Sequence, residues 1–261
     1  MTTVGTLLAV AASSSWAISQ MDVKNAFLHG DLKEVYMQPS PGVDAPSGYG
    51  CRLRRALYGL KQAPHAWFER FVSMIKAAGF TPSDHDPALF IHLSSRGRTL
   101  LLLYVDDILI MGDDVEHISL VKQQLGEHFQ MSDLGPLSYF LGIEVKQCAN
   151  GYYISQTKYI QDLIARSGIT NNWTTATPMD LHLQLHPTDG IPLPDPSRYR
   201  HLVGSLVYLI VTRLDIAHAV HILSQFVSAP TSVHFGHLLH VLRYLRGTTS
   251  RCLFYACNSP L

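Results

Sequence analysis

Apolar positions along the chain follow two rhythms, and each predicts its own kind of element. Val4 to Ala12 is a short apolar run that reads as a helix feeding a core. Neither Lys nor Arg precedes it, as a secretory leader requires, and it is short for a membrane span. Trp16 to Val23 reads as a strand ending near an acid, followed by a turn-rich, proline-marked stretch from Gly30 to Gly50. Pro64 then opens a helix whose stripe is Trp67, Phe71, Ile75 and Ala78, stopped at Gly79. Ala88–Leu93, Thr99–Val105 and Ile108–Met111 read as strands. Asp113 or Asp114 caps the next helix, which carries Ile118, Val121, Leu125 and Phe129 on one face. Tyr139–Gln147 and Tyr152–Ser155 form a hairpin closed near Asn150-Gly151, and Gln156–Ser167 is a helix ended by Gly168.

Strand, helix, strand, strand, helix, strand is the order of a split βαβ, ferredoxin-like sheet with helices on one face, hence an α+β class. In this reading Tyr139–Gln147 is the strand after the second helix. Residues 174–198 hold Pro178, Pro187, Pro192, Pro194 and Pro196, which marks a linker or crossing segment. Residues 199–247 read as mostly helical, broken near Arg213 and at Pro230.

Composition changes the picture only locally. Lys+Arg and Asp+Glu balance at 20 each over 261 residues, so the chain as a whole is no polyanion binder. Between Cys51 and Lys76, however, six basic residues face one acid, Glu69. Past Asp215 the only charged residues are Arg243, Arg246 and Arg251. Such stretches suit contact with phosphate on some faces, although ordinary surface variation produces them too. Cys51, Cys148, Cys252 and Cys257 lack metal-type spacing and read as reduced thiols of an intracellular protein. His234, His237 and His240 recur every three residues and His182 and His186 lie four apart, yet neither set matches a zinc motif.

The chemistry concentrates in Leu100–Met111, LLLLYVDDILIM, where two adjacent carboxylates interrupt an apolar run. Burying one unpaired carboxylate is costly, and two side by side also repel. A hairpin tip, a divalent cation, or both would accommodate them. A plain turn that happens to use Asp-Asp is the simpler reading. Asp22 ends a second apolar strand, which the fold reading makes a neighbour of that hairpin. Asp22, Asp106 and Asp107 together can hold two Mg²⁺ ions, with Mn²⁺ as a substitute.

Four ordered strings carry a family resemblance: QMDVKNAFL at 20–28, LYGLKQAPHAW at 57–67, YVDD at 104–107 and FLGIEV at 140–145. They resemble the copia-type LTR retrotransposon reverse transcriptase, and YRHLVGSLVYL and HVLRYLRGT look like the next region of the same polyprotein. The resemblance implies the palm of a right-hand polymerase over 1–170, with partial fingers and the start of a thumb. A linker at 171–198 and a helical thumb or connection region at 199–261 follow. It implies RNA-directed DNA synthesis on an RNA or DNA template-primer from dNTPs. Asp22, Asp106 and Asp107 would be the catalytic metal ligands. Phe27, Gln62 and Tyr104 would bind substrate, Phe27 as the gate against a 2′-hydroxyl. Phe140, Leu141 and Gly142 would be the primer grip. The partners would be nucleic acid and the remaining Pol segments, without a membrane, in a cytoplasmic virus-like particle or the nucleus.

Departures from the family pattern bear on turnover. Gly5 and His65 stand where the family uses Arg, the Val35–Gln38 segment is short, and Ser132 follows Met131 where a basic proton donor is usual. The family's Lys/Arg-rich fingers segment would precede Met1, and an RNase H site would need acids after Asp215. Weak extension by the chain alone is therefore expected. A non-catalytic retroelement remnant is the alternative function. A small RNA-binding module of ferredoxin-like fold is a third reading, disfavoured by the carboxylates at the sheet end.

Overall fold

The computed structural model describes residues 2–44, 46 and 48–257. In chain order they form α1 (Thr2–Ser13), β1 (Ile18–Val23), a 3-10 turn (Ala26–His29), β2 (Asp31–Met37), β3 (Cys51–Arg55) and α2 (Ala63–Ala77). Next come β4 (Thr81–Pro82), β5 (Leu89–Ser94), β6 (Gly97–Tyr104), β7 (Asp107–Gly112), α3 (Val115–His128) and β8 (Met131–Pro136). The remainder is β9 (Tyr139–Phe140), β10 (Ile143–Cys148), β11 (Gly151–Ser155), α4 (Thr157–Arg166), α5 (Ser197–Leu209), a 3-10 turn (Leu214–Ile216), α6 (Ala217–Ser224), α7 (Ser232–Gly247) and β12 (Leu253–Ala256). Two compact units result: a sheet unit, Ser14–Leu137, and a helix-rich unit, Met1–Ser13 with Ser138–Leu261.

In the sheet unit the strand order is β4-β5-β6-β7-β1-β8, with antiparallel neighbours throughout. Strands β6, β7, β1 and β8 with α2 and α3 reproduce the split βαβ order. Met21 and Val23 of β1, Leu101 and Leu103 of β6, and Ile108 and Ile110 of β7 face Trp67, Phe71 and Ile75 of α2 and Val121 and Leu125 of α3. Burying each large side chain contributes roughly 1.5–3 kcal/mol. Because strand side chains alternate, Gln20, Asp22 and Asp107 lie on the opposite face. The helix starts follow the local chemistry. Pro64 sits in the first turn of α2, and the Asp114 carboxylate accepts the His117 N–H at 3.0 Å to cap α3.

Several elements differ from the sequence reading: the short strands β4 and β12 were not foreseen, and Tyr139–Gln147 is not one strand but β9 and β10, folded back at Leu141-Gly142. The strand that follows α3 and pairs with β1 is Met131–Pro136, not Tyr139–Gln147. It ends in Gly135 (φ +77) and Pro136, and its register with β1 shifts at Gln20/Met21. Such a segment has little intrinsic strand propensity and is tolerated at a sheet edge, where pairing with β1 makes it a strand. Within Gly30–Gly50, Asp31–Met37 pairs with β3 as a separate ribbon. Exposure along most of both strands erased the alternation that would have announced it.

In the helix-rich unit, α4 to α7 share one core that includes Leu163, Leu206, Leu223 and Leu242. A second sheet runs β12-β11-β10-β9, and α1 packs against β11 and β12. Buried Arg213 holds Asp215 through two nitrogens, at 2.9 and 2.8 Å, and donates to the Thr248 carbonyl at 3.0 Å. His234 stacks on Phe226 at 3.9 Å and completes the capping box of α7 with Thr231. One of the evenly spaced histidines is thus a helix cap. Among the described residues no helix is long and apolar enough to cross a membrane.

Candidate active site

Strand β1, between β7 and the edge strand β8, brings the site together. Asp22 pairs with Asp107 of β7 on one side and with Ser132 of β8 on the other. Directly opposed residues point to the same side of a sheet, so the three form a row on the face away from α2 and α3. Gln20, two positions before Asp22, shares that face.

Tyr104 pairs with Asp107, so only Val105 and Asp106 link β6 to β7. Val105 has φ +57, a left-handed conformation costly for a β-branched residue and ordinarily filled by glycine at this point of a two-residue turn. Three hydrogen bonds hold the tip. The Val23 N–H donates to the Asp106 carbonyl at 2.8 Å. The Trp67 indole N–H donates to the Val105 carbonyl at 2.6 Å. The Gln20 side-chain amide donates to the Asp107 carboxylate at 3.0 Å.

Burial pushes the Asp107 carboxyl above its ordinary range; the Gln20 hydrogen bond opposes this, and the charges of Asp106 and Asp22 push it further up. Asp107 therefore feels both other carboxylates. Three mutually repelling oxygen donors suit a hard divalent cation such as Mg²⁺. Among the described residues no group of three His, Cys, Asp or Glu side chains is arranged to hold a metal ion. The donor chemistry fits the ion, while a closed coordination shell is not formed.

The other residues singled out in the sequence lie in both units. In the sheet unit, Phe27 is half-buried in the 3-10 turn, its ring 4.6 Å from Tyr58. Gln62 is exposed at the start of α2 and makes no side-chain cap bond. Tyr104 is about half exposed at the base of the Asp106 turn. In the helix-rich unit, Phe140 is buried and pairs with Ile143 across a turn of Leu141 (φ +49) and Gly142 (φ +75). That double left-handed turn is a tight hairpin of the I′ pattern. The Tyr208 hydroxyl donates to the Leu141 carbonyl.

The sequence reading missed Gln20 and the second role of Trp67. Gln20 was findable, since a polar residue two before Asp22 on an apolar strand must share its face. Trp67 fitted the core stripe of α2, and nothing in the sequence names the carbonyl it reaches.

Comparisons with known proteins place the chain in a family. The family profile described as reverse transcriptase (RNA-dependent DNA polymerase) matches residues 1–181, and the chain belongs to that family. Over its whole length it is 44% identical to a retrovirus-related Pol polyprotein from transposon RE2 of Arabidopsis thaliana, covering 18% of that protein. It is 39% identical over its whole length to the Pol polyprotein from transposon TNT 1-94 of Nicotiana tabacum, covering 21% of it. A transposon Ty5-1 protein of Saccharomyces cerevisiae is 34% identical over 92% of the chain and 80% of its own length. The chain thus spans about a fifth of the polyproteins it matches. These relatives bear out the copia-type resemblance.

Proposed function

We propose that the chain carries the nucleotidyl-transfer site of an RNA-directed DNA polymerase, acting on an RNA or DNA template-primer and dNTPs. The observation behind this is the facing pair Asp22 and Asp107, with Asp106 at the adjoining turn, on the face of the sheet opposite α2 and α3. In this reading the sheet unit is the palm. The segment 171–198 is a crossing linker, and 199–261 is a thumb or connection region. The parent protein supplies the other Pol segments and works inside the cell.

Asp22, Asp106 and Asp107 would hold two Mg²⁺ or Mn²⁺ ions. When bound, these would lower the pKa of the attacking 3′-hydroxyl and neutralise charge on the triphosphate. The protein's own residues orient the reactants. Phe27 supports the incoming sugar and excludes a 2′-hydroxyl, with Tyr58 packed behind it. Gln62 and Tyr104 line the nucleotide's approach, and the Phe140–Gly142 hairpin holds the primer end.

Ser132, directly across from Asp22 where a proton-donating cation would serve, favours a second reading: template-primer binding with little turnover. Primer extension by the purified chain, with Mg²⁺ or Mn²⁺ and with Asp106→Asn as control, separates these. Cation-dependent extension lost in the mutant supports the first reading, and binding without extension selects the second. Extension that survives Asp106→Asn rules out the assigned site. In an extending enzyme, Phe27→Val should admit ribonucleotides, and unchanged sugar discrimination would show Phe27 to be core only.

A further inference from the structure

We propose that Trp67 is a positioning residue for the Asp106 turn, acting through its indole N–H and not only through its ring. The inference rests on reading Asp22, Asp106 and Asp107 as a cation-holding set. Trp67 is 2% exposed and belongs to a helix, yet its one polar atom reaches out of the helix to the Val105 carbonyl at 2.6 Å. A buried N–H needs an acceptor, and this one takes a turn carbonyl at the edge of the candidate site.

That carbonyl belongs to the peptide before Asp106. The next carbonyl, of Asp106 itself, is held from β1 by the Val23 N–H at 2.8 Å. With the peptide planes on both sides of Asp106 anchored, its two backbone torsions are determined, and with them the direction of the Cα–Cβ bond from which its carboxylate extends. The anchor has something to resist. Val105 sits at φ +57, where a valine is disfavoured and an unpinned turn would relax by rotating the peptide that Trp67 grips. Trp67 cannot follow such a rotation. Its ring is wedged against Phe129 at 5.1 Å, Phe71 at 5.5 Å and His29 at 5.9 Å. Helix α2 therefore lends its rigidity to the turn through one hydrogen bond.

The test measures Mn²⁺ binding by paramagnetic resonance, independently of polymerisation. The proteins are the wild type, Asp106→Asn, Trp67→Phe, and a chain with benzothienylalanine at 67, which keeps the indole's shape and lacks its N–H. Ile75→Val, a buried α2 core position outside the rings that hold Trp67, serves as a packing control, with thermal melting recorded for all. Binding present in the wild type and lost in Asp106→Asn establishes the underlying site. The proposal then expects roughly ten-fold weaker Mn²⁺ affinity in both variants lacking the N–H. Ile75→Val should keep wild-type affinity whatever its melting temperature. Wild-type affinity in the benzothienylalanine protein, or equal weakening in Ile75→Val, overturns the proposal while leaving the site reading intact. A wild type without Asp106-dependent binding removes both.

Discussion

The chain has two tight hairpins whose turns look alike and solve different problems. In each unit a two-residue turn opens with a left-handed, non-glycine residue: Val105 at φ +57 in one, Leu141 at φ +49 in the other. In each, the carbonyl of that residue accepts a hydrogen bond from a helix-borne aromatic, Trp67 or Tyr208. The second turn position separates them. Gly142 has φ +75, and a Cβ there would meet the Tyr208 hydroxyl at 2.5 Å, so glycine relieves the second position of the neutral turn. The other turn carries Asp106, which is not left-handed, so this turn adds a charge while its backbone strain sits at the β-branched Val105. Strain persists where surrounding structure over-determines it, and around Asp106 the bonds from Val23 and Trp67 do so.

The comparison can be broken from the relaxed side first. Gly142→Ala should cost the most, about 1–3 kcal/mol, since an L residue at that φ is strained and the Tyr208 hydroxyl must move. Urea unfolding measures it, and a neutral result would mean that the glycine is incidental. Tyr208→Phe should cost about 1 kcal/mol for the lost hydrogen bond, without changing Mn²⁺ affinity. That silence would contrast with Trp67→Phe and distinguish a turn that holds a chain from one that aims a carboxylate. Val105→Gly should stabilise by up to about 1 kcal/mol, because relief of a left-handed valine exceeds the entropy lost in fixing glycine. A destabilised Val105→Gly protein would show that the turn is not strained.

The smallest effect separates the turns by charge. The raised carboxyl of Asp107 means that the folded state holds this proton more tightly than the unfolded chain does. Stability is therefore lost as pH rises from the ordinary carboxylate range through the folded pKa. In chelator, Asp107→Asn should melt higher than wild type at neutral pH, and the gap should close as acid protonates Asp107. A pH-independent gap would assign the effect to packing. No counterpart is expected at the Leu141–Gly142 turn, which carries no ionisable group.

Much of this was legible before any fold was known. The alternation of apolar residues fixed β1, the continuous apolar runs on either side of the Asp pair fixed β6 and β7, and the stripes of α2 and α3 gave the buried faces of those helices. YVDD between apolar runs located the turn. What stayed hidden was whatever depends on a partner. Met131–Pro136 is a strand only because β1 offers an unpaired edge, and its glycine and proline argued against it. Asp31–Met37 pairs in an exposed ribbon with no core to impose alternation.

The sequence by itself determined which carboxylates exist, which strand each ends, and the family to which the chain belongs. The tertiary structure decided that Asp22 stands between Asp107 and Ser132, that Gln20 supports Asp107, and that Trp67 grips the turn. The reason is physical. Local propensity and period act over a few residues, whereas a hydrogen bond from Trp67 to Val105 joins positions that only the packing of α2 on the sheet brings within 2.6 Å.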